Sequence, residues 1–68
     1  MSNLLIDADK QIAIKIAARF LEQHHSVTAY HASFQGDYWL VTARVGLFPE
    51  QIRKVRIDAK NGKIIDYT

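Results

Sequence analysis

The chain has 68 residues, of which 49% are hydrophobic and 24% are charged, and it contains no cysteine. This length and composition predict one small folded domain spanning residues 1–68, and the lack of cysteine excludes disulfides and thiolate metal ligands. The formal net charge is only +2, which argues against a basic nucleic-acid-binding tail.

The first residues predict neither an export signal nor a membrane segment. The apolar run at 4–6 is short, and no basic residue precedes it. A signal peptide needs a basic segment followed by a longer apolar core, and a bilayer-spanning helix needs about 18 apolar residues. We therefore expect a cytoplasmic protein without a membrane partner.

An amphipathic helix is predicted over residues ~8–25. Asp7 or Asp9 can cap its N-terminus, and its end is expected near His24 and His25. The alanines among its apolar residues predict a close approach to a flat partner, such as a sheet. The apolar face comprises Ile12, Ala13, Ile16, Ala17 and Phe20, widened by Ile14, Ala18 and Leu21.

Two alternating segments on either side of Gly36 and Asp37 predict a β-hairpin with a type II′ turn. The register that pairs Phe34 with Trp39 brings the apolar residues of both strands onto one face, and a slip of one residue would scatter them. That face comprises Tyr30, Ala32, Phe34, Trp39, Val41, Ala43 and Val45, and the other comprises His31, Ser33, Tyr38, Leu40, Thr42 and Arg44.

A second hairpin is predicted around Asn61 and Gly62. A two-residue turn there would put the carboxylate of Asp66 on the buried face, which is costly. A three-residue loop over 60–62, with Gly62 in the left-handed region, instead pairs Arg56 with Asp66 on the outer face. Asp58 is then placed to hold the turn with its side chain. The other predicted pairs are Ile57 with Ile65 and Val55 with Tyr67.

These elements predict an α+β fold in which one N-terminal helix packs on one face of a three- to four-stranded antiparallel meander. Phe20 and Trp39 are expected in the core. The predicted strands cover residues ~27–35, ~38–46, ~52–59 and ~63–67.

In this order, the elements resemble those of a PepSY-type domain. That family typically has an alanine-bearing helix, here 11–17, then a hairpin and an Asp-Ala-x-x-Gly turn, here within 58–64. The resemblance implies a module that binds or inhibits a partner, as do the PepSY domains associated with metallopeptidase propeptides and with membrane or secreted proteins. The absence of a predicted export signal sets this chain apart from them.

No pattern in the chain predicts catalysis, a metal or a cofactor. On a helix, His24 and His25 would point about 100° apart, and His31 has no acid or second histidine at ligand spacing. No serine has the glycine-flanked elbow of a nucleophile, and the glycines do not form a phosphate loop. We therefore expect a non-enzymatic protein.

The uncovered sheet face carries the leading functional hypothesis. Leu40 and Ile52 are expected on that face, and Leu47 and Phe48 add apolar bulk in the adjoining loop. Such a surface is typical of binding to a protein partner or to a second copy of the chain. In the alternative interpretation, Phe48 folds under the end of the helix and closes the core.

A rival hypothesis concerns the basic residues of the same face. Pairing Ala43 with Val55 would set Arg44 opposite Lys54, and like charges facing each other across strands are destabilising. Either the cations are simply solvated, or they bind an anion or a single-stranded nucleic acid. The candidate residues are Arg44, Lys54, Arg56, His31 and Tyr38.

Overall fold

The computed structural model describes residues 9–68, which form one helix and a four-stranded antiparallel sheet in the order β1-β2-β3-β4. The predicted α+β class is confirmed, with the helix on one face of the meander. Every strand boundary lies within one residue of its predicted position. The elements are α1 (Lys10–Leu21), β1 (Val27–Phe34), β2 (Tyr38–Val45), β3 (Gln51–Asp58) and β4 (Ile64–Tyr67).

Helix α1 begins with a side-chain cap. The Asp9 carboxylate accepts a hydrogen bond of 2.8 Å from the backbone N–H of Ile12, which satisfies one of the free donors of the first turn. The alternative cap, Asp7, lies outside the described residues.

Helix α1 ends at Leu21, earlier than predicted. The backbone N–H groups of His24 and His25 both donate to the carbonyl of Leu21, at 3.1 and 2.9 Å. This turn satisfies a carbonyl that the helix end would otherwise leave free. The histidines therefore belong to the connection to β1 and not to the helix.

The helix presents a strip of small residues to the sheet. Ala13 and Ala17 are fully buried and Leu21 is 2% exposed, at a spacing of four residues that places them on one side of the helix. Ile12 was predicted on this face but is 38% exposed. The alanines bring the helix axis close to the sheet, so the larger residues beside them, such as Ile16, flank the contact.

The β1–β2 hairpin has the predicted register. Phe34 pairs with Trp39, and Gly36 has a φ of +92° while Asp37 has a negative φ, as a type II′ turn requires. The other predicted pairs, Ala32 with Val41 and Tyr30 with Ala43, are also confirmed.

The predicted β2–β3 register is wrong by two residues. Val55 pairs with Val41 and not with Ala43. The observed register also sets Ile57 beside Trp39, whereas the predicted one would have given Trp39 only the small Ala59 as its neighbour. Since a shift of two residues keeps every side chain on its own face, Val55 and Ile57 are buried as the alternation predicts.

The β3–β4 hairpin is partly as predicted. Arg56 pairs with Asp66 and Val55 with Tyr67, but Ile57 pairs with Ile64 and not with Ile65. The register shifts between Arg56 and Ile57, which is a β-bulge that turns Ile65 outward to 50% exposure.

The turn of this hairpin is held by Asp58, as predicted. Its carboxylate accepts hydrogen bonds from the backbone N–H groups of Lys60 and Asn61, at 2.7 and 3.2 Å. Gly62 has the predicted left-handed conformation, with a φ of +74°.

The core lies between the alanine strip and the middle of the sheet. Phe20 and Trp39, which were expected inside it, are half-buried at its margin. The close approach of helix and sheet leaves little room for a ring, so the aromatics cover the sides of the core. The buried sheet residues are Ala32, Val41, Ala43, Val45, Val55 and Ile57.

We expect Gly62→Ala to lower the free energy of unfolding by more than the roughly 1 kcal/mol that a left-handed backbone costs a residue with a β-carbon. The added carbon would lie 3.3 Å from Cδ1 of Ile16, which is tighter than ordinary contact. Urea denaturation of Gly62→Ala alone and in an Ile16→Val background separates the two costs, because valine lacks that methyl group. An equal penalty in both backgrounds would show that the contact contributes nothing.

Candidate functional site

The sheet has one face turned away from α1, which we call the open face. No helix or strand within residues 9–68 packs on it. The register places there the predicted site residues His31, Tyr38, Leu40, Arg44, Ile52, Lys54 and Arg56, together with Ser33, Thr42 and Asp66.

An ion pair crosses the β3–β4 side of the open face. Arg56 Nε donates to Asp66 Oδ1 at 2.7 Å, and Arg56 Nη2 pairs with Asp66 Oδ2, so the contact is bidentate. The same guanidinium lies over Tyr38, with its central carbon 5.3 Å from the ring centroid. The charge of Arg56 is therefore already matched by an acid and an aromatic face.

Arg56 also sets the acid behaviour of this pair. The hydrogen bond from Arg56 lowers the pKa of Asp66 below its ordinary value. Desolvation opposes this with a smaller effect, and the charge of Arg56 adds a still smaller lowering. A lowered folded-state pKa means that the pair contributes its full stability above the unfolded-state pKa and loses it as the pH falls through the folded-state value. The side chains are 42% and 46% exposed, so solvent keeps this contribution small.

The predicted pair of facing cations does not exist. Arg44 lies opposite Ile52, and Lys54 lies opposite Thr42. Along β3, Lys54 and Arg56 are on the same face but Arg56 is held by Asp66. His31, opposite Thr42 on β1, is exposed. All five candidate anion ligands therefore lie on the open face, but they are spread over different strand pairs and do not surround one common point.

Apolar side chains cluster at the end of the sheet where 46–50 connects β2 to β3. Leu47 is 67% exposed, Phe48 is 97% exposed and Ile52, at the start of β3, is 51% exposed. We call these three residues the apolar tip. Phe48 does not fold under the helix, which removes the alternative in which it closes the core.

Leu40 stands apart from the apolar tip. It lies opposite Arg56, four pairs along β2 from the Arg44–Ile52 pair, a separation of about 13 Å at the rise of an extended strand. It is also half-buried among its neighbours. The predicted partner surface is therefore centred on the tip, with Leu40 at its far margin.

Sequence reasoning missed Arg53, which lies on the helix side of the sheet, opposite Ala43. The sequence does contain a signal for Arg53. Residues two apart in a strand share a face, so Arg53 lies on the same face as the apolar Val55 and Ile57. Among the described residues, its Nε atom is buried without a hydrogen-bond acceptor.

The helix side of the sheet also holds a hydrogen bond that the sequence did not predict, between Tyr30 and Glu22. Tyr30 donates its hydroxyl hydrogen to Glu22 Oε2 at 2.5 Å, joining β1 to the C-cap residue of α1. Burial raises the pKa of Tyr30 above its ordinary value, and the Glu22 carboxylate raises it further. Glu22 is thereby occupied by a neutral partner.

Among the described residues, the open face holds a depression lined by Leu40, Lys54, Arg56, Asp66 and Thr68. Within residues 9–68, no three His, Cys, Asp or Glu side chains come together in a group that could hold a metal ion. No helix in that part of the chain is both long and apolar enough to cross a membrane.

Comparison of the chain with protein-family models, curated proteins and solved structures finds no match. The resemblance to PepSY-type domains stays a prediction.

Proposed function

We propose that this protein is a non-catalytic interaction module of PepSY-like type that binds protein, either a partner or a second copy of itself, through the apolar tip and the adjoining open face. The observation that carries the proposal is the exposure of Phe48, at 97%, next to Leu47 in the loop that leads to the exposed Ile52. Contiguous exposed apolar groups on a small domain are typical of interaction surfaces. Buried aromatic anchors also supply much of the energy of many interfaces.

The loop that carries Phe48 has a defined base. Gly46 has a φ of +79°, and its backbone N–H donates to the carbonyl of Ser26 at 2.9 Å. Buried Val45 precedes it, so the loop leaves from the core. An anchor presented from a fixed base loses less conformational entropy on binding than one on a long free segment.

Polar residues surround the apolar tip. Arg44 faces Ile52 across the strands, and Glu50 and Gln51 are exposed where the loop enters β3. An apolar centre with a polar rim is the common anatomy of a protein interface. This surface therefore supports protein binding better than it supports chemistry on a small substrate, which would call for an enclosed cleft.

The rival function, binding of an anion or single-stranded nucleic acid, has less support because Arg56 is already paired and Arg44 is not beside Lys54. An oligonucleotide titration at two salt concentrations distinguishes the two functions. Salt-sensitive amide shifts at Arg44 and Lys54 would favour the rival, since phosphate contacts weaken steeply with added salt.

We expect the protein to self-associate at micromolar to millimolar concentration, and Phe48→Ser to raise the dissociation constant at least about tenfold. Light scattering and sedimentation over that range measure both. Phe34→Ser is the matched control, because Phe34 is 54% exposed but lies at the opposite end of the sheet. Leu40→Lys should have an intermediate effect.

A strictly monomeric protein would contradict the self-associating form. Binding to a different protein, the other form of the proposal, is then tested by a photo-crosslinking phenylalanine analogue at position 48, with the same analogue at position 34 as control. A cross-linked protein specific to position 48 supports the proposal, and identical products from both positions contradict it.

A further inference from the structure

An open groove of about 350 Å³ lies on the helix side of the molecule, where the end of α1 meets β3 and β4. Neither the open-face residues nor Leu47, Phe48 and Ile52 line it, although His24 and His25 also border the depression beside Leu47 and Phe48. A ligand in this groove does not depend on the function proposed above. The walls of the groove include Phe20, Gln23, His24, His25, Arg53 and Tyr67.

Arg53 is the unusual member of this groove. It lies on the face that Val55 and Ile57 bury under the helix, and its Nε atom is buried without an acceptor. A weak hydrogen bond joins Arg53 Nη2 to Gln51 Oε1 at 3.3 Å. No carboxylate of residues 9–68 lies within ion-pair distance of it.

The acid at the end of the same helix does not serve Arg53. Glu22 accepts the hydroxyl hydrogen of Tyr30 at 2.5 Å. A guanidinium has a planar set of donors that matches a carboxylate with two parallel hydrogen bonds. Within the described part of the chain, this set lacks its natural acceptor.

Two aromatic rings belong to the apolar part of the groove wall. The rings of Phe20 and Tyr67 meet edge to face with centroids 4.7 Å apart, and Tyr67 remains 57% exposed. The groove therefore offers an apolar wall and an unpaired cation within one depression. A helix C-terminus normally disfavours an anion, but here the carbonyl of Leu21 is already bonded to the N–H groups of His24 and His25.

We propose that this groove binds an organic carboxylate whose acid group pairs with Arg53 and whose aromatic or aliphatic body lies against Phe20 and Tyr67. The carboxylate supplies the anionic partner that the Arg53 guanidinium lacks among residues 9–68, and the body covers the exposed ring of Tyr67. Such a ligand is either a small free acid or the C-terminal residue of a peptide, which have this chemistry in common.

Titration of the isotope-labelled full chain with benzoate tests the proposal. We expect saturable amide shifts at residues 20–25, 53 and 67. Benzamide keeps the ring without the charge and acetate keeps the charge without the ring, so each should bind at least about tenfold more weakly. Absence of saturable shifts up to high millimolar benzoate, or equal binding of benzamide, overturns the proposal.

Two substitutions at Arg53 sharpen the test. Arg53→Gln removes the charge and should abolish benzoate binding. Arg53→Lys keeps the charge but lacks the planar pair of N–H donors, so it should weaken benzoate binding several-fold. If Arg53→Gln does not fold, Arg53→Lys alone provides the test. Lys60→Gln removes an equal charge from the exposed β3–β4 turn and should leave benzoate binding unchanged. Unaltered binding in either Arg53 variant overturns the proposal.

A further titration distinguishes the two sources. N-acetylphenylalanine mimics a peptide C-terminus, and binding tighter than that of benzoate identifies a peptide end, whereas weaker binding identifies a small acid. Loss of self-association in Phe48→Ser leaves this site intact, so the two proposals fail independently.

Discussion

Replacing Ile57 with alanine is expected to lower the free energy of unfolding by about 2–4 kcal/mol. Ile57 is fully buried and is among the largest side chains of the core. It pairs with Trp39 on one side and Ile64 on the other, so its removal leaves a cavity in the middle of the sheet. A small domain has a total stability of roughly 5–15 kcal/mol, so the loss would be visible as a large fall in the urea midpoint.

The chain provides matched controls for this prediction. Ile65 and Ile52 are 50% and 51% exposed, so the same truncation at either position should cost less than about 1 kcal/mol. The comparison with Ile65 is the sharper one, because the sequence predicted Ile65 where the structure has Ile64. If Ile65→Ala were as damaging as Ile57→Ala, the β-bulge would be placed wrongly.

Replacing Ala17 with leucine is expected to destabilise the fold by about 1–3 kcal/mol, although leucine is an excellent helix former. Ala17 is fully buried between the helix and the sheet. The longer side chain would push α1 away from the strands and reduce the contact of its neighbours, Ala13 and Leu21. Thermal and urea unfolding measure the loss.

Lys15→Leu is the control for this effect. Lys15 is exposed on the same helix, so the substitution places the same leucine side chain where it does not meet the sheet. We expect a change within about 0.5 kcal/mol. A neutral Ala17→Leu would mean that the space between helix and sheet is wide, and the alanine strip would then not explain why the aromatic rings lie at the margin.

The two hairpins and the β2–β3 connection were not equally predictable. Gly36 and Asp37 fix both the turn and the register of β1 and β2, because a two-residue loop leaves no freedom in the pairing. The five residues at 46–50 impose no such limit, and any even shift preserves the alternation of apolar residues. The observed register depends on how Trp39 and Ile57 pack together. The alternation of apolar and polar residues carries no information about that packing.

The same distinction applies to the candidate site: alternation predicts one part of it and the register decides the other. Which residues share a face follows from alternation alone, so the open face was predictable. Which of them are neighbours depends on the register, and the expected Arg44–Lys54 pair failed for that reason. Arg53 was overlooked because its importance lies in what surrounds it, namely a buried Nε atom and two aromatic rings from separate elements.

The simple order of the strands has a consequence for how the chain reaches its native state. Each strand pairs with its neighbour in sequence, and the connections between them are no longer than five residues. Short loops cost little entropy to close, so each hairpin can form before the sheet is complete. Helix α1 packs against β1, β2 and β3. The edges of the inner strands β2 and β3 would then be unpaired only briefly during folding, which limits the time in which a chain with an exposed Phe48 can aggregate.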